Sequence, residues 1–166
     1  MITEQNILDG LNNDEFVYYY QPKISLITGK VIGAEALIRW IKPDGHIVLP
    51  QDFVPLAEQT GILSLITYKM FAKLARDLLI FSDIDSSLII SFNTSAQDFV
   101  EPDFRQMVLD TLSQLRIPPS ACKSKLPKTP CCMPTPPLRK IYWLYAKMAW
   151  DWRWTITAPV TPPWKP

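Results

Sequence analysis

The sequence is poor in cysteine and glycine, with three and five in 166 residues, and past residue 119 it holds no glycine and no glutamate at all. Three cysteines are an odd number, and Cys131 and Cys132 are adjacent. Neither feature suits a disulfide framework or a zinc site, so the thiols are expected to be reduced and without function. No apolar stretch approaches the roughly 20 residues needed to cross a bilayer, which excludes a spanning helix. The first residues, Met1 to Gln5, lack a basic segment followed by an apolar run, so no secretory signal is expected and the cytoplasm is the default compartment. A formal net charge of +1 points to no polyanionic or polycationic partner.

That average hides a division. Residues 1–119 carry 9 Lys and Arg against 15 Asp and Glu, whereas residues 120–166 carry 8 against 1. The second part also holds all three cysteines and five of the six tryptophans, and 11 of the 16 prolines lie at Pro118 or beyond. A domain boundary is therefore expected at 119/120, with an irregular, disordered tail over 120–166. A basic, aromatic tail also fits an arm for a nucleic acid or a membrane surface, but no nucleic-acid polymer is expected as a partner.

In the first part the periodicity alternates between strand and helix. A helix is expected over about 3–12 with Thr3 as its cap, and strands over Phe16–Leu26 and Val31–Trp40. Pro43-Asp44-Gly45 is a turn, followed by a helix over about 51–59 that Gly61 ends in a left-handed cap. Apolar residues from Ile62 to Leu78 recur at helical spacing, and Leu88–Phe92 reads as a strand leading into Asn93-Thr94-Ser95. Asp103–Leu115 is helical again. This order argues for an α/β domain with a mostly parallel sheet. After Ser120 no period survives.

Strand alternation places Ile32, Ala34, Ala36, Ile38 and Trp40 on one face of the second strand, and Gly33, Glu35, Leu37 and Arg39 on the other. A mid-strand carboxylate in apolar surroundings requires a compensating charge. Arg39 is four residues along at about 3.3 Å each, too far to form a tight pair. A bound cation on Glu35 and an anionic ligand on Arg39 would satisfy both; so would simple exposure to water. Tyr19, Gln21 and Lys23 align on the first strand, and Asn93 ends the third. Polar groups at the C-terminal ends of parallel strands are where barrel enzymes build their sites. Asn93-Thr94-Ser95 also fits a turn or helix cap, and His46 a solvated loop.

Four linked blocks carry a resemblance: Tyr20-Gln21-Pro22; Gly33-Ala34-Glu35-Ala36-Leu37-Ile38-Arg39-Trp40; Leu49-Pro50 with Phe53 and Ala57 to Gly61; and Phe92-Asn93-Thr94-Ser95. In order and spacing this resembles EAL-type cyclic di-GMP phosphodiesterase domains, with Glu35-Ala36-Leu37 as the signature, over roughly residues 5–119. The resemblance implies the N-terminal portion of a (β/α)8 TIM-type barrel that hydrolyses cyclic di-GMP to the linear dinucleotide with Mg2+ or Mn2+. It implies Glu35 and Asn93 as metal ligands, and Gln21, Leu37 and Arg39 as nucleotide contacts. Mg2+ favours carboxylate and carbonyl oxygens, and the planar fork of Arg matches a phosphate.

The family continues with a Glu-Ile-Thr-Glu block and an Asp-Asp-Phe-Gly-Thr-Gly block, yet residues 120–166 hold one carboxylate, Asp151. A shifted reading frame accounts for this. Suppose each codon takes the last base of one written codon and the first two of the next. Met148-Ala149 then yields Gly, Trp150-Asp151 Gly, Asp151-Trp152 Leu, Trp154-Thr155 Asp and Trp164-Lys165 Glu, whatever synonymous codons are used. The positions between permit an Asp-Asp-Tyr-Gly-Thr-Gly run, and Ala121–Pro130 permits Leu-Gln-Ile-Glu-Ile-Thr-Glu. The chain is therefore expected to be a truncated, inactive EAL domain, prone to aggregate through an open sheet edge. The alternative is a non-catalytic module that binds cyclic di-GMP or pairs with an intact EAL domain.

Overall fold

The computed structural model describes residues 2–95, 98 and 101–125; of the irregular tail expected over 120–166, all beyond residue 125 lies outside the described residues. Helix α1 spans Glu4–Asn12, opened by a reciprocal capping box in which the Asn6 N–H donates to Thr3 Oγ1 (3.2 Å) and the Thr3 N–H to Asn6 Oδ1 (3.1 Å). Strands β1 (Phe16–Ile24) and β2 (Val31–Ile41) then form an antiparallel hairpin, and a two-residue β3 (Ile47–Val48) pairs with the end of β2. Helices α2 (Pro50–Gln59) and α3 (Leu63–Ile84) lead to β4 (Ile89–Asn93). Helix α4 (Pro102–Gln114) and a 3-10 turn (Pro119–Ala121) lead to β5 (Cys122–Lys125). Pro50 and Pro102 sit in the first turns of α2 and α4, where a missing N–H costs nothing.

Among the described residues the strand order is β1-β2-β4-β5, with β2, β4 and β5 mutually parallel. One face of this sheet is covered by α3 and α4. The helical spacing seen in the sequence supplies that cover: Phe71, Leu74 and Leu78 of α3 and Phe104, Val108 and Leu112 of α4 are buried against Ala34, Ala36, Ile90 and Phe92. A second cluster closes the base of the hairpin, where Trp40 stacks on Phe16 at 5.1 Å and meets Phe53 edge-on at 5.9 Å. Its indole N–H donates to Glu15 Oε2 at 2.7 Å, so the buried ring leaves no polar atom unpaired.

Two details are absent from the sequence expectation. First, the sheet runs past Ser120. Cys122–Lys125 has little strand propensity, but its backbone pairs in register with Ile90–Asn93, and pairing rather than composition makes it a strand. Second, α1 and α4 end on left-handed residues that are not glycine, Asp14 (φ 61°) and Arg116 (φ 56°). In each, the following N–H reaches back to the last turn, Glu15 to Gly10 O (2.9 Å) and Ile117 to Leu112 O (2.9 Å). Gly61 (φ 76°) closes α2 as the sequence predicts.

Candidate functional site

The uncovered face of the sheet carries the polar side chains. In β2 the alternation is obeyed: Ala34, Ala36 and Trp40 are buried, whereas Glu35, Leu37 and Arg39 are partly exposed on the opposite side. Gln21 lies directly across from Glu35 in the β1–β2 ladder, and Ser91 is level with Glu35 in the parallel β2–β4 ladder. Asn93 ends β4, level with Lys125 of β5. Four elements thus deliver Gln21, Glu35, Asn93 and Lys125 to one patch.

Within it the Glu35 carboxylate is held from two sides. The Lys125 ammonium forms an ion pair and hydrogen bond with Oε2, and the Asn93 amide nitrogen lies 3.5 Å from Oε1. Burial alone would raise the Glu35 pKa. The hydrogen bond and charge of Lys125, the charge of Lys23 and the Asn93 amide more than offset this, and the carboxyl is held below its usual value. Lys23 donates to Ser91 Oγ. Burial and the repulsion of Lys125 depress its pKa, and Glu35 opposes that shift.

Glu35 and Asn93, the two expected metal ligands, are therefore brought together, and Gln21 joins them. Leu37 and Asn93 line a largely apolar cavity of about 400 Å3 whose walls include Gln51, Phe53 and Met70. Arg39 stands apart, beyond the end of β4. One of its guanidinium nitrogens donates to Ile38 O at 2.7 Å, and its plane lies 5.8 Å from the Tyr19 ring centroid. The loop after Asn93 behaves as a cap: the Asp98 N–H donates to Ser95 Oγ (2.9 Å) and the Ser95 N–H to Asp98 Oδ2 (3.3 Å), while Thr94 pairs with Ser124 and Lys125. Thr94 and Ser95 share the cavity wall with Asn93, but of the three only the Asn93 side chain reaches Glu35.

The donor set does not fit a divalent ion. Mg2+ and Mn2+ need several oxygen ligands in near-octahedral array, and no three Asp, Glu, His or Cys residues cluster among the described residues. Both oxygens of Glu35 already face nitrogen donors, one of them a cation. No sequence pattern points to Lys125 as that partner, because it lies ninety positions from Glu35. Asp98 was missed as well; its only signal is the Ser95-x-x-Asp98 spacing of a capping box.

A family model described as EAL domain matches residues 4–123. Among curated relatives, the signaling protein YkoW of Bacillus subtilis is 34% identical over 116 residues, covering 70% of this chain and 14% of the relative. The cyclic di-GMP phosphodiesterase PdeL of Escherichia coli is 30% identical over 116 residues, covering 69% and 32%. The chain thus spans less than a third of the length of either. Among solved structures, the PaMucR phosphodiesterase in complex with c-di-GMP superimposes with a TM-score of 0.72 at 26% identity, over 87% of this chain and 59% of that one. The FimX EAL domain of Pseudomonas aeruginosa, bound to c-di-GMP, gives 0.64 at 19%, over 86% and 53%, a likeness of fold. No helix among the described residues is long and apolar enough to cross a membrane.

Proposed function

Since this chain belongs to the EAL domain family, we propose that it recognises cyclic di-GMP in the cytoplasm at the C-terminal end of its sheet and does not hydrolyse it. The observation that carries the reading is the polar patch in which Gln21 faces Glu35, with Leu37 and, farther off, Arg39 on the same face of β2. Arg39 is the natural phosphate contact, since its planar fork donates two parallel hydrogen bonds and among the described residues it donates to one carbonyl. Leu37 and Asn93 share a cavity within the usual size range for small-ligand sites. Turnover would need a nucleophilic water, and paired metals that generate one need more carboxylates than Glu35. Past residue 119 the sequence offers Asp151 alone.

The boundary at 119/120 belongs to the same reading. Residues 120–166 are out-of-frame polypeptide, supported by the recovery of both missing family blocks, in order, from one codon offset. Resequencing the gene through the codons for Pro118–Cys122 tests this; an intact frame there, matched by the protein's mass, overturns it.

The functional test is calorimetry of the full chain with cyclic di-GMP, with Mg2+ and with a chelator, alongside chromatography for the linear dinucleotide. Binding without product is the expected result. Product formation, or no binding, refutes the proposal. Pairing with an intact EAL domain is a second reading, favoured by the exposed apolar hairpin tip at Leu26 and Ile27.

A further inference from the structure

We propose that the Lys125 ammonium is a built-in cation on Glu35, standing where a divalent metal ion would have to bind and so excluding it. The geometry is specific. The β4–β5 register puts Lys125 level with Asn93 at the C-terminal ends of parallel strands, and the ammonium engages Glu35 Oε2 from there. A metal ion on Glu35 would need that same oxygen lone pair, and it would meet a fixed positive charge within contact distance. Lys23, donating to Ser91 Oγ beside the same carboxylate, adds a second cation. Lys123, on the same face of β5, adds a third that Lys23 feels. Among the described residues this patch holds three ammonium groups and one carboxylate, the reverse of a divalent-ion site.

A carboxylate half buried in a sheet must have its charge compensated. An ion can do this in a metalloenzyme; here an internal ammonium does it, and the strand needs no metal to keep Glu35 in place. In the shifted frame the last base of the Ser124 codon and the first two of the Lys125 codon permit the first Glu of the Glu-Ile-Thr-Glu block. In that frame, one base of displacement exchanges a carboxylate for a cation at this point of β5.

The test is Mn2+ titration of the full chain without nucleotide, followed by the electron paramagnetic resonance of free Mn2+, so the result is independent of whether cyclic di-GMP binds. Wild type is compared with Lys125→Glu and Lys125→Met, with circular dichroism as the check of folding. Lys125→Glu is expected to tighten Mn2+ binding by at least about tenfold, and Lys125→Met to move it in the same direction by less. Wild type binding Mn2+ as tightly as Lys125→Glu overturns the proposal. If Lys125→Glu does not fold, the comparison with Lys125→Met decides, and equal Mn2+ affinity there overturns it.

Discussion

The carbonyl oxygen of Ile89 lies 2.0 Å from where a Cβ on Gly33 would stand. Strands β2 and β4 meet at this point, where Gly33 pairs with Ile89 at the start of the parallel ladder. Backbone cannot swing aside as a side chain can, and Gly33 also holds a φ of 155°. Gly33→Ala is expected to cost about 3 kcal/mol or more, from overpacking and backbone strain together. Urea denaturation of the purified variant measures it, and a loss under about 1 kcal/mol would show that the strands separate freely there.

The end of α4 predicts the opposite sign. Arg116 holds a left-handed conformation that disfavours any residue with a Cβ. Its side chain is exposed, so little packing is lost on removal. Arg116→Gly should leave the protein as stable as before or stabilise it by about 0.5–1 kcal/mol. A midpoint of thermal unfolding clearly below that of wild type would contradict this.

Neither residue could be assigned in the same way from the sequence. Gly33 was legible as part of a strand, but its contact with Ile89 is set by tertiary pairing. The alternation holds only from Ala34 onward: the register shifts beside Ile32, which is exposed rather than on the buried face. Arg116 carries no local signal of a helix end, since Gly or Asn usually marks one. The long helices were legible because Ile66, Met70, Leu74 and Leu78 repeat at helical spacing. Strand β3 is too short for any period, and β5 is a strand only because β4 pairs with it. At the site, the alternation that put Glu35, Leu37 and Arg39 on one face held. Lys125 escaped because no local pattern links residues so far apart.

Cys122 supplies a pH dependence. It is a free thiol, buried at 3% exposure under the sheet, and burial pushes its pKa from 9.0 up to about 12. A raised folded value means the native state holds its proton more tightly than the unfolded chain. Its contribution to stability is therefore complete below about pH 9 and is lost as pH climbs toward about 12. Cys122→Ala should flatten this alkaline decline while lowering stability at neutral pH. Peptide-resolved alkylation at pH 8 should find Cys122 unreactive until denaturant is added; rapid native labelling would refute its burial.

Arg39 separates the nucleotide reading from a purely structural one. Its guanidinium touches a neighbouring carbonyl and the Tyr19 ring, both near the surface. Arg39→Ala should therefore change stability by less than about 1 kcal/mol. If Arg39 binds a phosphate of cyclic di-GMP, the same change should weaken binding by roughly tenfold or more, the effect of one charge-assisted contact. Calorimetry on wild type and variant reads this directly, and unchanged affinity would remove Arg39 from the site.

The ninety residues between Glu35 and Lys125 also impose an order on synthesis. A chain leaving the ribosome presents the β1–β2 hairpin and α1 first, and their contacts are close in sequence. Strand β4 can join only after α2 and α3 have emerged, and β5 last of all. Throughout that interval the growing domain displays a carboxylate with no ammonium beside it. For most of the time a ribosome spends on this domain, Glu35 is open to whatever cation the surrounding solution offers.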